Sequence, residues 1–219
     1  LRSQLTLQQQ EYSFLHRSFV FRRRVKEAVQ EGKLPVLEEA PVVPAAAPKK
    51  KIEKPKIVPL AEQPLLFTDA SNFLSNDFVA PFTHDGISFP TVLHYYGWKK
   101  ATDSGDTETA DKITKTPATS IKPLKTLIEK IKDVPADWAT RQDEIMKTGL
   151  RAKFVNPANE GLLKQLRDTG TRTLAYANPR DKYWSIGTSP DTDVAKTGKW
   201  KGANKLGTLL MEVRTELKD

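Results

Sequence analysis

The 219-residue chain contains no cysteine, which excludes disulfide scaffolds, thiolate-bound zinc, iron–sulfur clusters and thiol nucleophiles together. Histidine is scarce: His16, His84 and His94 are the three in the chain, and no two stand at metal-ligand spacing. Carboxylates alone would have to hold an ion, so neither a metal site nor a cofactor is expected. No apolar run approaches the ~20 residues needed to cross a bilayer. No GxGxxG or GxxxxGK[ST] stretch occurs, and the strands are not regularly interleaved with helices, which argues against a dinucleotide-binding sheet.

What is present is unevenly placed. The formal net charge is +8, but residues 1–60 hold 12 Lys+Arg against 6 Asp+Glu, so the basicity belongs mainly to the N-terminal part. Seven of the fifteen prolines fall within residues 35–64, whereas all four tryptophans lie beyond residue 90. These shifts divide the chain into a helical anchor over 1–32, a Pro/Ala/Lys-rich linker over 33–64 and a folded domain over 65–219.

Residues 4–31 read as a helix closed by Gly32. Tyr12, Leu15 and Phe19 lie on one side and Phe14, Phe21 and Val25 on a neighbouring side, so the apolar surface is too wide for a helix standing alone. Tyr12, Phe14, Phe19 and Phe21 followed by Arg22, Arg23 and Arg24 make a partner-binding arm, directed at other protein subunits, with RNA or anionic lipid as further contacts of its basic tip. The linker favours polyproline II and, at ~3.1 Å per residue, spans roughly 90 Å. A chain opening at Leu1 rather than methionine is read as having lost a preceding segment. Together with the basic arm this suggests a mitochondrial setting, a virion being the alternative.

The domain reads as helix-rich α+β with a small sheet. Strands are expected over 64–68, 78–82, 86–89, 172–176 and 182–186, and helices over 91–102, 107–115, 121–132, 137–154, 159–168 and 202–218. In the first of these helices Leu93, Tyr96, Gly97 and Lys100 share a face. Lys100 is then either a surface lysine laid along apolar neighbours or a group able to form a Schiff base or touch a phosphate. Leu206, Leu209, Leu210 and Val213 form the buried stripe of the last helix. Gly202 and Gly207 each cost it ~1 kcal/mol relative to alanine, which signals the close approach of another backbone or of a ligand.

Phe73-Leu74-Ser75-Asn76, Pro81-Phe82, Asp85-Gly86, Pro90 and His94-Tyr95-Tyr96 with Lys100 resemble the first motif block of the NADAR/YbiA-like family. Leu150-Arg151-Ala152-Lys153-Phe154 is similar to its central helix. Tyr183-Trp184 with Gly187, the run Trp200-Lys201-Gly202-Ala203-Asn204-Lys205-Leu206-Gly207, and Leu210-Met211-Glu212-Val213-Arg214 resemble its C-terminal signature. The resemblance covers residues 65–217 and implies a pocket for an ADP-ribose or ribosyl-pyrimidine ligand. It also implies cleavage of N-glycosidic bonds, in a phosphorylated riboflavin intermediate or in ADP-ribosylated guanine.

The chain departs from that pattern at two acids. Leu93 stands where the family has the glutamate before His-Tyr, and Tyr176 stands at a second acidic position. Leucine cannot transfer a proton, and losing a positioned acid or base costs ~10²–10⁴-fold. The expectation is therefore a pseudoenzyme: a non-catalytic structural accessory subunit of a large multiprotein assembly, such as a respiratory-chain complex or a mitoribosome. Its catalytic residues are lost, Lys100 being a vestige. Its vestigial ligand pocket comprises His94, Tyr95, Trp98, Lys100, Arg151, Trp184 and Asn204, with residual nucleotide or ADP-ribose binding. The alternatives are an active N-glycosidase or ADP-ribosyl hydrolase, with Asp77 or Asp181 supplying the carboxylate, and a virion structural protein.

Overall fold

A computed structural model describes residues 63–218. The helix expected over 4–31, its arm residues Tyr12, Phe14, Phe19, Phe21, Arg22, Arg23 and Arg24, and the linker as far as residue 62 lie outside the described residues. The order of elements is β1 (Leu65–Phe67), β2 (Phe82–His84), β3 (Ile87–Phe89), α1 (Val92–Asp103), α2 (Thr107–Lys115), α3 (Ile121–Lys130), α4 (Trp138–Val155), a 3-10 turn (Pro157–Asn159), α5 (Glu160–Asp168), β4 (Leu174–Tyr176), α6 (Asp193–Thr197) and α7 (Lys205–Glu216). This is the helix-rich α+β arrangement expected, with strands of three residues each.

The strands form two separate pairs. β1 and β4 run parallel with Leu65, Leu66 and Phe67 opposite Leu174, Ala175 and Tyr176. β2 and β3 form a hairpin in which Phe82 faces Phe89 and His84 faces Ile87. Its turn, Asp85-Gly86, has positive φ at both positions, the geometry that matches the twist of a two-residue hairpin. That turn fixes the register and corrects the strand expected over 78–82. Only Phe82 of that stretch is in a strand, and Ala80 instead donates its N–H to the Pro90 carbonyl.

The strand expected over 182–186 is irregular as well, for a different reason. Its carbonyls serve the start of α7: Lys205 and Leu206 donate their N–H groups to Tyr183 and Trp184, and Asn204 donates to Ser185. Helix N-termini carry orphan donors, and here a preceding loop accepts them. Asn204 takes a left-handed conformation, φ 51°, which is why α7 starts at Lys205 rather than at residue 202.

Helix α1 is the centre of the core, with Val92, Leu93, His94, Tyr95, Tyr96, Gly97 and Ala101 all buried. Two glycines bring neighbours close to it. A Cβ on Gly149 of α4 would stand 2.7 Å from Tyr95 Cδ1, and one on Gly97 would stand 2.5 Å from Ile128 Cγ1 of α3. The expected stripe of α7 is buried, each side chain contributing about 2 kcal/mol. Close approach is also the reason for Gly207 in α7 and for Gly202 in the segment before it, since a Cβ on Gly207 would clash with the Leu174 carbonyl and one on Gly202 with the Ser185 carbonyl.

Candidate active site

A cleft of about 1010 Å³ opens between α1, α3, α4 and the loop following β4. Leu93 and Tyr96 come from α1, Lys125 and Glu129 from α3, Met146 from α4, Asn76 from the loop after β1, and Tyr176 and residues 178–184 from β4 and beyond. Helical spacing puts Leu93 with Tyr96, and Lys125 with Glu129, on one face of their helices. The lining carries the cations Lys125, Arg180 and Lys182 and the carboxylates Glu129 and Asp181.

One wall is aromatic. Trp184 meets Tyr96 edge to face at 5.6 Å and Tyr183 at 5.0 Å. The loop that presents these rings is set by Asp181, whose Oδ1 accepts from the backbone N–H groups of Tyr183 and Trp184 at 2.8 and 2.9 Å. The Tyr183 hydroxyl donates to Asp143 Oδ1 at 2.7 Å, while Lys205 holds Oδ2 of the same carboxylate at 2.7 Å. Tyr96 donates to Gln142 at 3.2 Å, and burial pushes its phenol up to about 12.

Charged side chains line the cleft as well. Lys125 Nζ donates to Asp77 Oδ2 at 2.6 Å. Burial works against this ammonium, but the Asp77 hydrogen bond and charge prevail and hold its pKa above the ordinary lysine value. Asp77 is buried just outside the lining, with Oδ1 unpartnered among the described residues. The nearby Leu93 N–H donates to the Asn76 carbonyl at 2.9 Å. Tyr176 stacks on Phe67 at 5.4 Å, and burial raises its pKa while a hydrogen bond from Asn178 opposes that.

The structure separates the expected ligand residues. Trp184 lines the cleft, as does Leu93. His94 lies elsewhere, wholly buried between Thr91 Oγ1 and the Thr116 carbonyl. Burial lowers its pKa, and a neutral ring that donates Nε2–H to the carbonyl and accepts from Thr91 satisfies both contacts. Tyr95 and Trp98 pack with Phe89 in an aromatic cluster. Lys100 reaches across to the Ile128 carbonyl at 3.1 Å, and burial lowers its pKa, with Glu129 opposing. Arg151 is exposed on α4. Asn204 is a clamp on β4, bonded through Oδ1 to the Tyr176 N–H and through Nδ2 to the Leu174 carbonyl. Of the two carboxylates offered as replacements, Asp181 lines the cleft and Asp77 does not.

Sequence reasoning passed over Lys125, Glu129 and Arg180 as cleft residues, and Asp143 as the anchor of Tyr183. The i, i+4 pair Lys125 and Glu129 on an amphipathic helix was the one local signal, and it reads equally well as a solvated face.

The NADAR domain description matches residues 62–218. The chain belongs to the NADAR family. The NADAR domain here is 29% identical to the N-glycosidase YbiA of Escherichia coli over 151 residues, which is 69% of this chain and 82% of that protein. Against the NMR structure of E. coli YbiA the fold agrees with a TM-score of 0.57 at 27% identity, covering 71% of this chain and 85% of the other. An N-glycosidase of Acanthamoeba polyphaga mimivirus is 39% identical over 83 residues, 37% of this chain; the match spans only 48% of that relative. A riboflavin biosynthesis protein of Vibrio vulnificus is 28% identical over 163 residues, 73% of this chain and 40% of its own length.

These relatives correct the expectation of a structural accessory subunit. NADAR proteins similar to this chain are named as N-glycosidases and as a riboflavin biosynthesis protein, which points to an enzymatic role. Among the described residues no helix is long and apolar enough to cross a membrane.

Proposed function

We propose that this NADAR domain is an N-glycosidase that hydrolyses the bond between ribose C1′ and the nitrogen of a base or amine. The observation that carries the reading is the open cleft, lined by Tyr96, Tyr183 and Trp184 together with charged side chains, among them the carboxylate of Asp181. In the reaction the C1′–N bond breaks with its electron pair passing to nitrogen, water oxygen bonds to C1′, and a proton reaches the departing nitrogen. The transition state is cationic at the sugar, and a carboxylate at the cleft surface stabilises it and accepts the proton of the attacking water.

Asp181 is the carboxylate best held for that work. Its Oδ1 is fixed by two backbone N–H groups, which leaves Oδ2 for water or the sugar. Glu129 is exposed at the rim. Tyr96, Tyr183 and Trp184 offer a surface for the departing ring. The experiment is incubation of the full chain with ADP-ribosylated DNA and, separately, with the phosphorylated riboflavin precursor, followed by chromatography of the released base. Release by the wild type, reduced 10²-fold or more in Asp181→Asn, is the expected result.

A second reading, ligand binding without turnover, is favoured by one observation: Leu93 and Tyr176, at the positions where the resemblance implies acids, both line the cleft. Absence of turnover in the wild type, with turnover gained in Leu93→Glu, supports this reading and sinks the first.

A further inference from the structure

We propose that Lys153, wholly buried on α4 and outside the cleft lining, is a positioning residue for the cleft: its amino group holds the 73–77 segment, and so sets both where Asn76 enters the lining and where Asp77 receives Lys125. The proposal rests on the N-glycosidase reading only in taking this cleft as the place of reaction.

Residues 73–77 lie between β1 and β2 with no helix or strand of their own. Short-range bonds shape them: the Ser75 N–H donates to the Asn72 carbonyl at 2.9 Å, the Leu74 N–H to Asn72 Oδ1 at 2.9 Å and the Asp77 N–H to Ser75 Oγ at 3.1 Å. Leu74, Ser75 and Asp77 are nevertheless buried, and buried carbonyls outside regular structure need donors from elsewhere. The Phe73 and Ser75 carbonyls find one in the same atom, Lys153 Nζ, at 2.6 and 3.0 Å, and the Phe78 N–H adds a longer bond to Ser75 at 3.3 Å. Lys153 is itself held. Phe78 and Phe154 flank its Nζ at 5.3 and 5.1 Å from the ring centroids, and its carbonyl accepts from Asn159 Nδ2, which also donates to the Pro81 carbonyl. A methionine would follow the same path without the desolvation cost of an amino group, so the nitrogen is accounted for by the two carbonyls it serves.

The cleft depends on that segment in two ways. Asn76 lines it, with its carbonyl tied to the Leu93 N–H at 2.9 Å. Asp77, next in the chain, holds Lys125, a lining residue from α3, at 2.6 Å. Asp77 Oδ1 has no partner among the described residues, so the carboxylate is oriented by the Lys125 bond and by the backbone that Lys153 fixes.

Lysine 13Cε and backbone amide spectra of the full chain, together with the substrate assay, test this. In Lys153→Met the amide signals of residues 74–77 are expected to shift or broaden. Lys125, whose pKa the Asp77 bond holds above the ordinary lysine value, is expected to titrate closer to that value. In the assay kcat/KM should fall ~10-fold or more, chiefly through KM, because Asp181 is held by its own loop. Leu166→Val, in a wholly buried residue of α5 outside the lining, is the control for lost stability alone and should leave KM within about a factor of two. An unchanged Lys125 titration in folded Lys153→Met, or an equal loss of kcat/KM in Leu166→Val at an equal fall in melting temperature, overturns the proposal.

The wild type supplies a test without a variant. Burial lowers the Lys153 pKa to about 7. The other ionisable groups that feel the Asp77 charge lie apart from it, His94 of α1 being lowered from its ordinary 6.5, and Lys125 of α3 and Tyr176 of β4 being raised. As the amine becomes neutral its bonds to the two carbonyls weaken, so the amide signals of residues 74–77 should move with the midpoint of the Lys153 13Cε signal. Absence of a shared midpoint overturns the proposal. Absence of wild-type turnover of any N-glycoside removes the N-glycosidase reading and leaves these spectra to decide the positioning role, so the two fail separately.

Discussion

Tyr183, which lines the cleft, and Asp143, 40 residues apart in the chain, meet at 2.7 Å, and Lys205 holds the other oxygen of the same carboxylate. Neither residue alone decides the position of the aromatic wall. The carboxylate ties a loop, a long helix and the start of α7 into one corner, so Tyr183 is fixed by three elements rather than by its own rotamer preference.

Asp143→Ala is therefore expected to act on ligand binding more than on the chemical step. Freed of its partner, Tyr183 samples other rotamers, and KM for an accepted ribosyl substrate should rise ~5–10-fold with kcat within a factor of two or three. Stability should fall by about 1 kcal/mol, since the Lys205 pair is partly exposed. Steady-state kinetics with a urea denaturation curve separate the two effects. A fall confined to kcat would contradict a binding role.

Leu93→Glu places a carboxylate in the cleft wall beside Asn76. Leu93 is 6% exposed, so a charge there is costly, and about 1–3 kcal/mol of stability should be lost. A positioned acid or base supplies ~10²–10⁴-fold, and turnover is expected to rise toward that range in the substrate assay. Unchanged turnover in a folded variant would show that position 93 has no access to the reacting bond.

Burial pushes the Lys153 ammonium down to about 7, with Asp77 opposing. The unfolded chain, with its ordinary lysine near 10.5, binds the proton more tightly than the folded one. Stability should therefore rise with pH between about 7 and 10.5 on this residue's account, and the penalty is fully present below about 7. Lys153→Met should flatten that rise relative to the wild type in urea titrations at pH 6.5, 8 and 9.5. It should also lower stability at pH 9.5 by about 1–3 kcal/mol, because the Phe73 and Ser75 carbonyls lose their donor.

Gly207→Ala and Gly161→Ala form a matched pair of helix substitutions. The first drives a methyl group into the Leu174 carbonyl and Asn204, whereas nothing lies within 4 Å of a Cβ at Gly161. Gly207→Ala is expected to cost about 2–4 kcal/mol through separation of α7 from β4. Gly161→Ala should gain about 0.5–1 kcal/mol through helix propensity and a less flexible unfolded chain. Thermal melts of both decide the matter, and similar shifts for the two would refute close packing as the reason for Gly207.

Much of the fold was legible because helices announce themselves locally. The helical patterns read over 91–102, 107–115, 121–132 and 137–154 place the ends of α1, α2, α3 and α4 within a few residues of those observed, and Leu206, Leu209, Leu210 and Val213 are recognisable as a buried stripe. Short strands were less legible. Three residues give period-two alternation almost nothing to act on, and the 182–186 stretch spends its carbonyls on the N-terminus of α7 instead of on a neighbouring strand.

The sequence by itself determined the family, through motif residues at characteristic spacing, and its lack of cysteine excluded thiol chemistry. It could not determine which cations line the cleft. Lys100 shares a helical face with Leu93 and Tyr96, but α3 packs on Gly97 and offers the Ile128 carbonyl, drawing that ammonium away from the cleft. Lys125 enters the cleft because a buried carboxylate 48 positions earlier receives it. Periodicity encodes which side of its own helix a residue occupies. What stands opposite that side depends on long-range packing, and only the tertiary structure decides it.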